Sequence, residues 1–375
     1  MERKQQKICL VSFFVHKAFF LPLSHIREII VEICPNSDSI LTVSPELADT
    51  MIFDSGKDDI IIYKNQIRPV FRLINYLILN LKISWIILLR SKDIDSFLFF
   101  METGLPLPMT MVKLRNKRII WLLPSSLKKL IEHQNDVLNK FLLLSQSFCY
   151  YLVDKLVLYS PNLIDDWHLQ KYSGKIVIAR HHFINSDTHA AITPLNERPL
   201  VIGYIGRLSE EKGAQKFVQA LPALLNDRKD LSVFIGGNGP LKEGIEFTLG
   251  SEGIGSRVDL HGWISEDSIP EYLNKCRLLV LPSYTEGLPN IMLQAMTCCT
   301  PILATPVGAI PDIIKDGETG FIMKNNFPAC IAANILRALE DPNLEKIAMN
   351  AKKIVDKEFT FNNTVYQWKK ILNEI

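Results

Sequence analysis

Residues 277–296 read Arg277-Leu278-Leu279-Val280-Leu281-Pro282-Ser283-Tyr284-Thr285-Glu286-Gly287-Leu288-Pro289-Asn290-Ile291-Met292-Leu293-Gln294-Ala295-Met296. The run Arg277–Leu281 is short, strongly apolar and stopped by proline, which predicts a strand buried on both faces. A turn carrying Glu286 follows. Pro289 then opens a helix, because a proline ring suits the first helical turn. Gln294 lies on the first turns of that helix, eight positions beyond Glu286. A carboxylate and an amide beyond a strand end can bind the hydroxyls of a polyol. Glu286 equally fits an acidic helix cap.

The same strand–turn–helix unit recurs upstream. Val201–Ile205 runs into Gly206-Arg207-Leu208-Ser209-Glu210-Glu211-Lys212-Gly213, where Arg207 and Lys212 are the cations and a helix begins at about Lys212. Its free N–H groups add positive potential, so this loop suits an anion, although a solvated helix start has the same composition. Leu231–Ile235 runs into Gly236-Gly237-Asn238-Gly239-Pro240, whose glycines let a backbone approach a ligand or simply join strand to helix. This is not a Walker sequence. Arg257–Leu260, Pro301–Ala304 and Gly320–Ile322 are further strands, and Lys212–Asn226, Ile269–Lys275, Asn290–Thr297 and Ala329–Leu339 have helical periodicity.

Farther out, the first half repeats the rhythm, with strands at Ile8–Phe14, Ser39–Val43, Ile60–Tyr63, Ser96–Met101, Arg118–Leu123, Lys155–Tyr159 and Lys175–Ala179. Short apolar runs spaced by helices mean parallel sheets of βαβ units. A chain of 375 residues exceeds a single core, so two domains are expected. Thr193-Pro194-Leu195-Asn196-Glu197-Arg198-Pro199 is polar and proline-bounded, which places the boundary there: residues 1–195, then 196–355, then a terminal amphipathic helix over 356–375. Ligands of such sheets bind beyond the carboxyl ends of the strands.

Composition narrows the function. With 42 basic and 40 acidic side chains the net charge is +2, too balanced for a dedicated nucleic-acid binder. The apolar fraction of 47% excludes disorder. Cys9, Cys34, Cys149, Cys276, Cys298, Cys299 and Cys330 form no C-x-x-C pair, so reduced thiols in a cytoplasmic protein are expected, with no metal and no cofactor assigned. The N-terminal residues lack the long apolar region and small-residue cleavage site of a signal peptide. The most apolar window, Leu73 to Leu89, is interrupted by Asn75, Asn80 and Lys82 and falls short of the roughly 20 apolar residues of a membrane span. Residues 1–195 hold 23 basic against 18 acidic groups, the remainder 19 against 22.

Taken in order, Gly-Arg-x-x-x-x-Lys-Gly, Gly-x-Gly-Pro, Pro-Ser-x-x-Glu-Gly-x-Pro-Asn, then Pro301 to Gly308 and Asp316-Gly317-x-x-Gly320 resemble the retaining glycosyltransferases of family 4. The resemblance covers about Pro199 to Met323 and fades in the first half. It implies the GT-B fold: two Rossmann-like domains facing across a cleft, acceptor site in the first, nucleotide-sugar site in the second, and a C-terminal helix returning to the first. It implies a metal-independent enzyme that moves a sugar from a nucleoside-diphosphate sugar to a hydroxyl of a glycan or lipid-linked acceptor. Arg207 and Lys212 would then clamp the diphosphate. Gly206, Gly237 and Gly239 would give phosphates and ribose room, and Trp263 and Ile264 would sit at the base. Glu286 would contact sugar hydroxyls, and the backbone of Gly287, Leu288, Pro289, Asn290 and Ile291 would hold the sugar and the phosphates.

Two residues depart from that pattern. Gln294 stands where the family has a second carboxylate, and Cys299 where it has glycine. They leave open a catalytically degenerate donor-binding or scaffolding partner. A nucleotide-sugar epimerase on the same fold is a further alternative, but acidic and histidine groups for it are not evident. In the first half, His16, Glu102 and His182 are candidates for the acceptor face. Asp93-Ile94-Asp95 precedes a strand and reads as a polar turn. The basic run Lys113 to Arg118 and the apolar stretch His16 to Leu23 suggest peripheral contact with an anionic membrane.

Overall fold

The computed structural model describes residues 7–14, 20–43, 58–62, 69–124, 137–185 and 190–373. The chain divides into two compact units, one of residues 1–182 with 364–375 and one of Phe183–Asn363.

Among the described residues the first unit holds seven strands: β1 Ile8–Phe14, β2 Asp38–Val43, β3 Asp58–Ile62, β4 Ser96–Phe100, β5 Arg118–Leu122, β6 Lys155–Leu158 and β7 Ile176–Ile178. They pair in parallel in the order β3-β2-β1-β4-β5-β6-β7. β4, with sequence Ser-Phe-Leu-Phe-Phe, is buried at every position, as a strand covered on both faces requires. Helices Pro69–Arg90, Pro106–Leu114 and Val137–Leu152 pack on one another as a layer. The terminal helix Phe361–Asn373 is fixed to this unit where the Trp368 indole N–H donates to the Arg180 carbonyl at 2.9 Å.

The second unit holds β8 Val201–Ile205, β9 Ser232–Gly236, β10 Val258–Gly262, β11 Leu278–Leu281, β12 Ile302–Ala304 and β13 Phe321–Ile322. These too are parallel, in the order β10-β9-β8-β11-β12-β13. Ile202, Val233, Ile235, Val280 and Leu303 project from the sheet into one core with Phe217 and Leu221 of helix Ala214–Asp227. In both sheets strands 1 and 4 of the unit are neighbours although two strands separate them in sequence. That reversal is the topological switch point of a Rossmann sheet, where a crevice opens at the strand carboxyl ends.

The division falls at residue 182, not at the proline-bounded segment 194–199. That segment belongs to the second unit. The Arg198 side chain is 3% exposed, and its guanidinium donates to the carbonyls of Thr193, Leu273, Cys276 and Cys298, to Thr300 Oγ1 and to Asn274 Oδ1. The Asn274 side chain also binds the backbone of Ala190 and Ile192. A polar sequence here is a buried hydrogen-bond hub, not a solvated linker. The terminal segment forms two helices, Leu344–Glu358 and Phe361–Asn373, and the chain passes back to the first unit at Thr364, not at 356.

Candidate active site at the β8–β11 switch point

Leu278 and Leu279 of β11 pair with Ile202 and Gly203 of β8, so the loops after these two strands leave side by side. Helix Ala214–Asp227 begins two residues later than its periodicity suggests. Gly213 precedes it with φ +68°, and a Cβ there would lie 2.1 Å from the Pro282 carbonyl oxygen. Only glycine lets the β8 loop press on the β11 loop this closely. The Tyr284 N–H donates to the Glu211 carbonyl at 2.9 Å and ties the same two loops.

This contact brings Lys212 to Glu286. The Lys212 ammonium lies 2.7 Å from both carboxylate oxygens of Glu286, and the Ser283 hydroxyl donates to Oε1 at 2.7 Å. The Glu286 side chain is 7% exposed and that of Lys212 31%, so the acid is sunk in the fold and the base reaches it from the rim. Arg207, on the same β8 loop, makes a long 3.5 Å contact to Glu211, whose carboxylate also takes the Ser209 hydroxyl at 2.7 Å. The expected pair of cations is present, and each carries an acidic neighbour.

The glycine turn after β9 closes the other side. The Gly206 N–H donates to the Gly236 carbonyl at 2.9 Å, and Leu208 to Asn238 at 3.0 Å. Gly237 has φ +141°, and a Cβ on it would fall 1.8 Å from the Gly206 carbonyl oxygen. Gly239 is packed in the same way on the Leu208 backbone. Trp263 is exposed just after β10, and Ile264 lies half-buried over Gly236. On the opposite side the Ala309 N–H donates to Gly287 at 2.9 Å, steadying the segment Gly287 to Ile291. Helix Asn290–Thr297 starts there with Pro289 as its cap and no side-chain cap hydrogen bond, so its first N–H groups are offered to an anion. The Asn290 Oδ1 atom is buried without a hydrogen-bond partner, a polar atom that a ligand hydroxyl would satisfy.

Gln294 is buried, and its amide donates to Glu266 Oε1. Glu266, on the short turn Glu266–Ser268 after β10, was not marked by any sequence pattern. It brings a carboxylate to the position where Gln294 lacks one. Desolvation pushes its pKa above the ordinary glutamate value, and the Gln294 amide pulls it back. Gln294→Glu therefore sets two carboxylates in contact, which cannot both ionise cheaply. A raised folded-state pKa leaves stability intact below the ordinary glutamate value and removes it as pH rises through the raised one. We expect Gln294→Glu to melt about 2–4 °C below the parent at pH 8 and level with it at pH 4. Adding Glu266→Gln should abolish the difference. A pH-independent gap in thermal unfolding would contradict the contact.

Cys299 is explained by the helix end. It has φ +52°, with Cys299 N–H bound to Met296 and Thr300 N–H to Ala295, the paired bonds of a Schellman motif. That position favours glycine for its left-handed backbone, so cysteine there bears on helix termination, and its side chain packs against the core. In the first unit, His16 lies outside the described residues. His182 is 3% exposed and sits against the His181 and Tyr159 rings in the core; burial lowers its pKa to about 3. It does not offer an acceptor face, while Glu102 is half-buried. Asp95 accepts the Lys7 N–H at 2.8 Å, the structural turn expected of it.

Residues 185–354 match the family model described as glycosyl transferases group 1. The second unit is similar to this family over that span. Among relatives of the group 1 domain, an alpha-D-kanosaminyltransferase of Streptomyces kanamyceticus is 31% identical over 53% of this chain and 53% of its own. The Campylobacter jejuni alpha-1,4-N-acetyl-D-galactosaminyltransferase named for a diNAcBac-PP-undecaprenol glycan is 26% identical over 54% of this chain and 55% of its own. The chain thus spans about half the length of the curated relatives it matches. Anabaena HepE, solved with UDP-glucose, superposes on the whole fold with a TM-score of 0.76 at 16% identity, covering 98% of this chain and 100% of that one. With two all-parallel Rossmann-like units in one chain, the architecture is GT-B.

Proposed function

We propose that the chain is a retaining, metal-independent glycosyltransferase that moves a sugar from a nucleoside-diphosphate sugar to a hydroxyl of a glycan or lipid-linked acceptor. The meeting of Lys212 and Glu286 at the β8–β11 switch point, with Arg207 on the same β8 loop, carries this reading. The donor's diphosphate lies against Arg207, Lys212 and the helix start at Asn290, and Glu286 with Asn290 takes sugar hydroxyls. Fixed cations and N–H dipoles stabilise the charge that builds on the departing diphosphate. The bond from the anomeric carbon to the phosphate oxygen breaks as the acceptor oxygen bonds that carbon on the same face. The acceptor proton passes to the leaving phosphate. Glu266 and Gln294 together receive the ribose hydroxyls. The α linkages in the names of both relatives support retention, and the undecaprenol in one supports a lipid-linked acceptor.

A donor-binding partner without catalysis is the second reading, favoured by the amide at Gln294. One assay separates them: nucleoside-diphosphate release from a panel of nucleotide sugars, with and without glycan or polyprenyl-diphosphate acceptors, in EDTA. We expect acceptor-dependent release unaffected by EDTA and a product with the donor's anomeric configuration. An inverted product or loss of turnover in EDTA overturns the proposal, and donor binding without turnover selects the partner reading.

A further inference from the structure

The helix layer of the first unit carries charge of one sign. Helices Pro69–Arg90, Pro106–Leu114 and Val137–Leu152 contain Arg72, Lys82, Arg90, Lys113 and Lys140 and no carboxylate. Two of these cations are spent inside the unit: Arg90 pairs with Asp59 at 2.7 Å and Lys113 with Asp154 at 2.6 Å. Lys82 and Lys140 are exposed and, among the described residues, have no acidic partner. Arg115 joins them, exposed at the layer's end, where it donates to the Leu88 carbonyl at 3.0 Å. Lys175 extends the positive rim by donating to the Tyr151 carbonyl at 2.6 Å at the end of Val137–Leu152.

Between these cations the layer is apolar outward as well as inward. Tyr76, Leu79, Ile83 and Ile87 bury one stripe of Pro69–Arg90 in the unit. The opposite stripe leaves Leu81 61%, Trp85 62% and Leu89 65% exposed, far more than an aqueous surface helix offers. Leu114 is 71% exposed, and Leu144 and Tyr151 are each 76% exposed. A groove joins Leu81 and Trp85 to the exposed Ile60 and Ile62 of the edge strand β3. The window Leu73–Arg90 is apolar and long enough to cross a membrane by length and composition. Its buried inner stripe makes it a surface helix of the fold instead.

We infer that this helix layer docks on an anionic lipid bilayer, its apolar stripe in the interface and Lys82, Arg115 and Lys140 at the headgroups. A large apolar face whose helices carry cations and, over their own length, no carboxylate matches an anionic membrane in both chemistries. A second copy of the chain fits badly, because face-to-face pairing would bring Lys82 and Lys140 of the two copies together on helices that carry no carboxylate. The surface differs from the one expected from sequence. In the run Lys113 to Arg118, Lys113 is taken by Asp154 and Arg118 starts β5, while residues 16–19 of the stretch His16 to Leu23 lie outside the described residues. The inference does not depend on the donor chemistry proposed above.

The test is sedimentation of the full chain with phosphatidylglycerol–phosphatidylcholine vesicles against phosphatidylcholine alone, over a salt series. Brominated lipids report whether Trp85 enters the interface. We expect binding to anionic vesicles that weakens with salt, and quenching that disappears in Trp85→Phe. Partitioning should fall about fivefold for each of Lys82→Ser, Arg115→Ser and Lys140→Ser. It should be lost in Leu81→Glu/Trp85→Glu, with thermal unfolding unchanged because both side chains are exposed. Equal supernatant recovery with both lipids at low salt overturns the inference. If the parent is then a dimer that Leu81→Glu/Trp85→Glu dissociates, the occupant is a second copy.

Discussion

Arg198→Leu should cost the second unit about 3–5 kcal/mol, enough to unfold much of it at ambient temperature. The guanidinium is buried, yet its six acceptors are carbonyl, amide and hydroxyl oxygens. Desolvation accordingly lowers its pKa, but an arginine remains charged. Leucine, shorter and without a donor, would take the guanidinium's bonds from the Thr193 and Cys276 carbonyls, each unsatisfied buried group costing about 1–3 kcal/mol. Arg198→Lys keeps the charge but offers a point donor where a planar fork reaches several loops and helix ends, so a smaller loss is expected. Urea unfolding measures both. An unchanged midpoint for Arg198→Leu would show that the hub is ornamental.

The strands were legible because burial on both faces leaves four or five consecutive apolar letters between glycine and proline stops. β8 and β11 emerged almost to the residue for that reason. Features set by distant parts of the chain were not legible. Gly213 takes its conformation from the Pro282 carbonyl, so periodicity alone began the helix two residues early. The segment 194–199 has linker composition, and nothing local reveals that Arg198 is satisfied by carbonyls up to 100 positions away. Glu266 meets Gln294 only because β10 and the helix after β11 end near each other. Lys212 and Glu286 could each be suspected from sequence, but their ion pair follows from the strand order. The sheet interposes nothing between β8 and β11, although 74 residues separate the pair.

Lys212→Met should lower turnover roughly a hundredfold or more, as loss of one fixed charge from the departing diphosphate removes about 2–4 kcal/mol of transition-state stabilisation. The ion pair complicates the reading. Without Lys212, the buried Glu286 carboxylate keeps the Ser283 hydroxyl as a hydrogen-bond donor but loses its countercharge, so the variant should also melt lower. Lys212→Met/Glu286→Gln removes the unpaired charge and should recover most of that stability. Turnover should stay low in the double variant, because restoring the fold does not restore a cation beside the phosphates. If turnover returned with stability, Lys212 would be a structural partner of Glu286 and the clamp would rest on Arg207 alone. Near-parental turnover in Lys212→Met itself would remove Lys212 from the reaction, since an ion pair at the switch point that does not act on the donor has no charge to lend the leaving group.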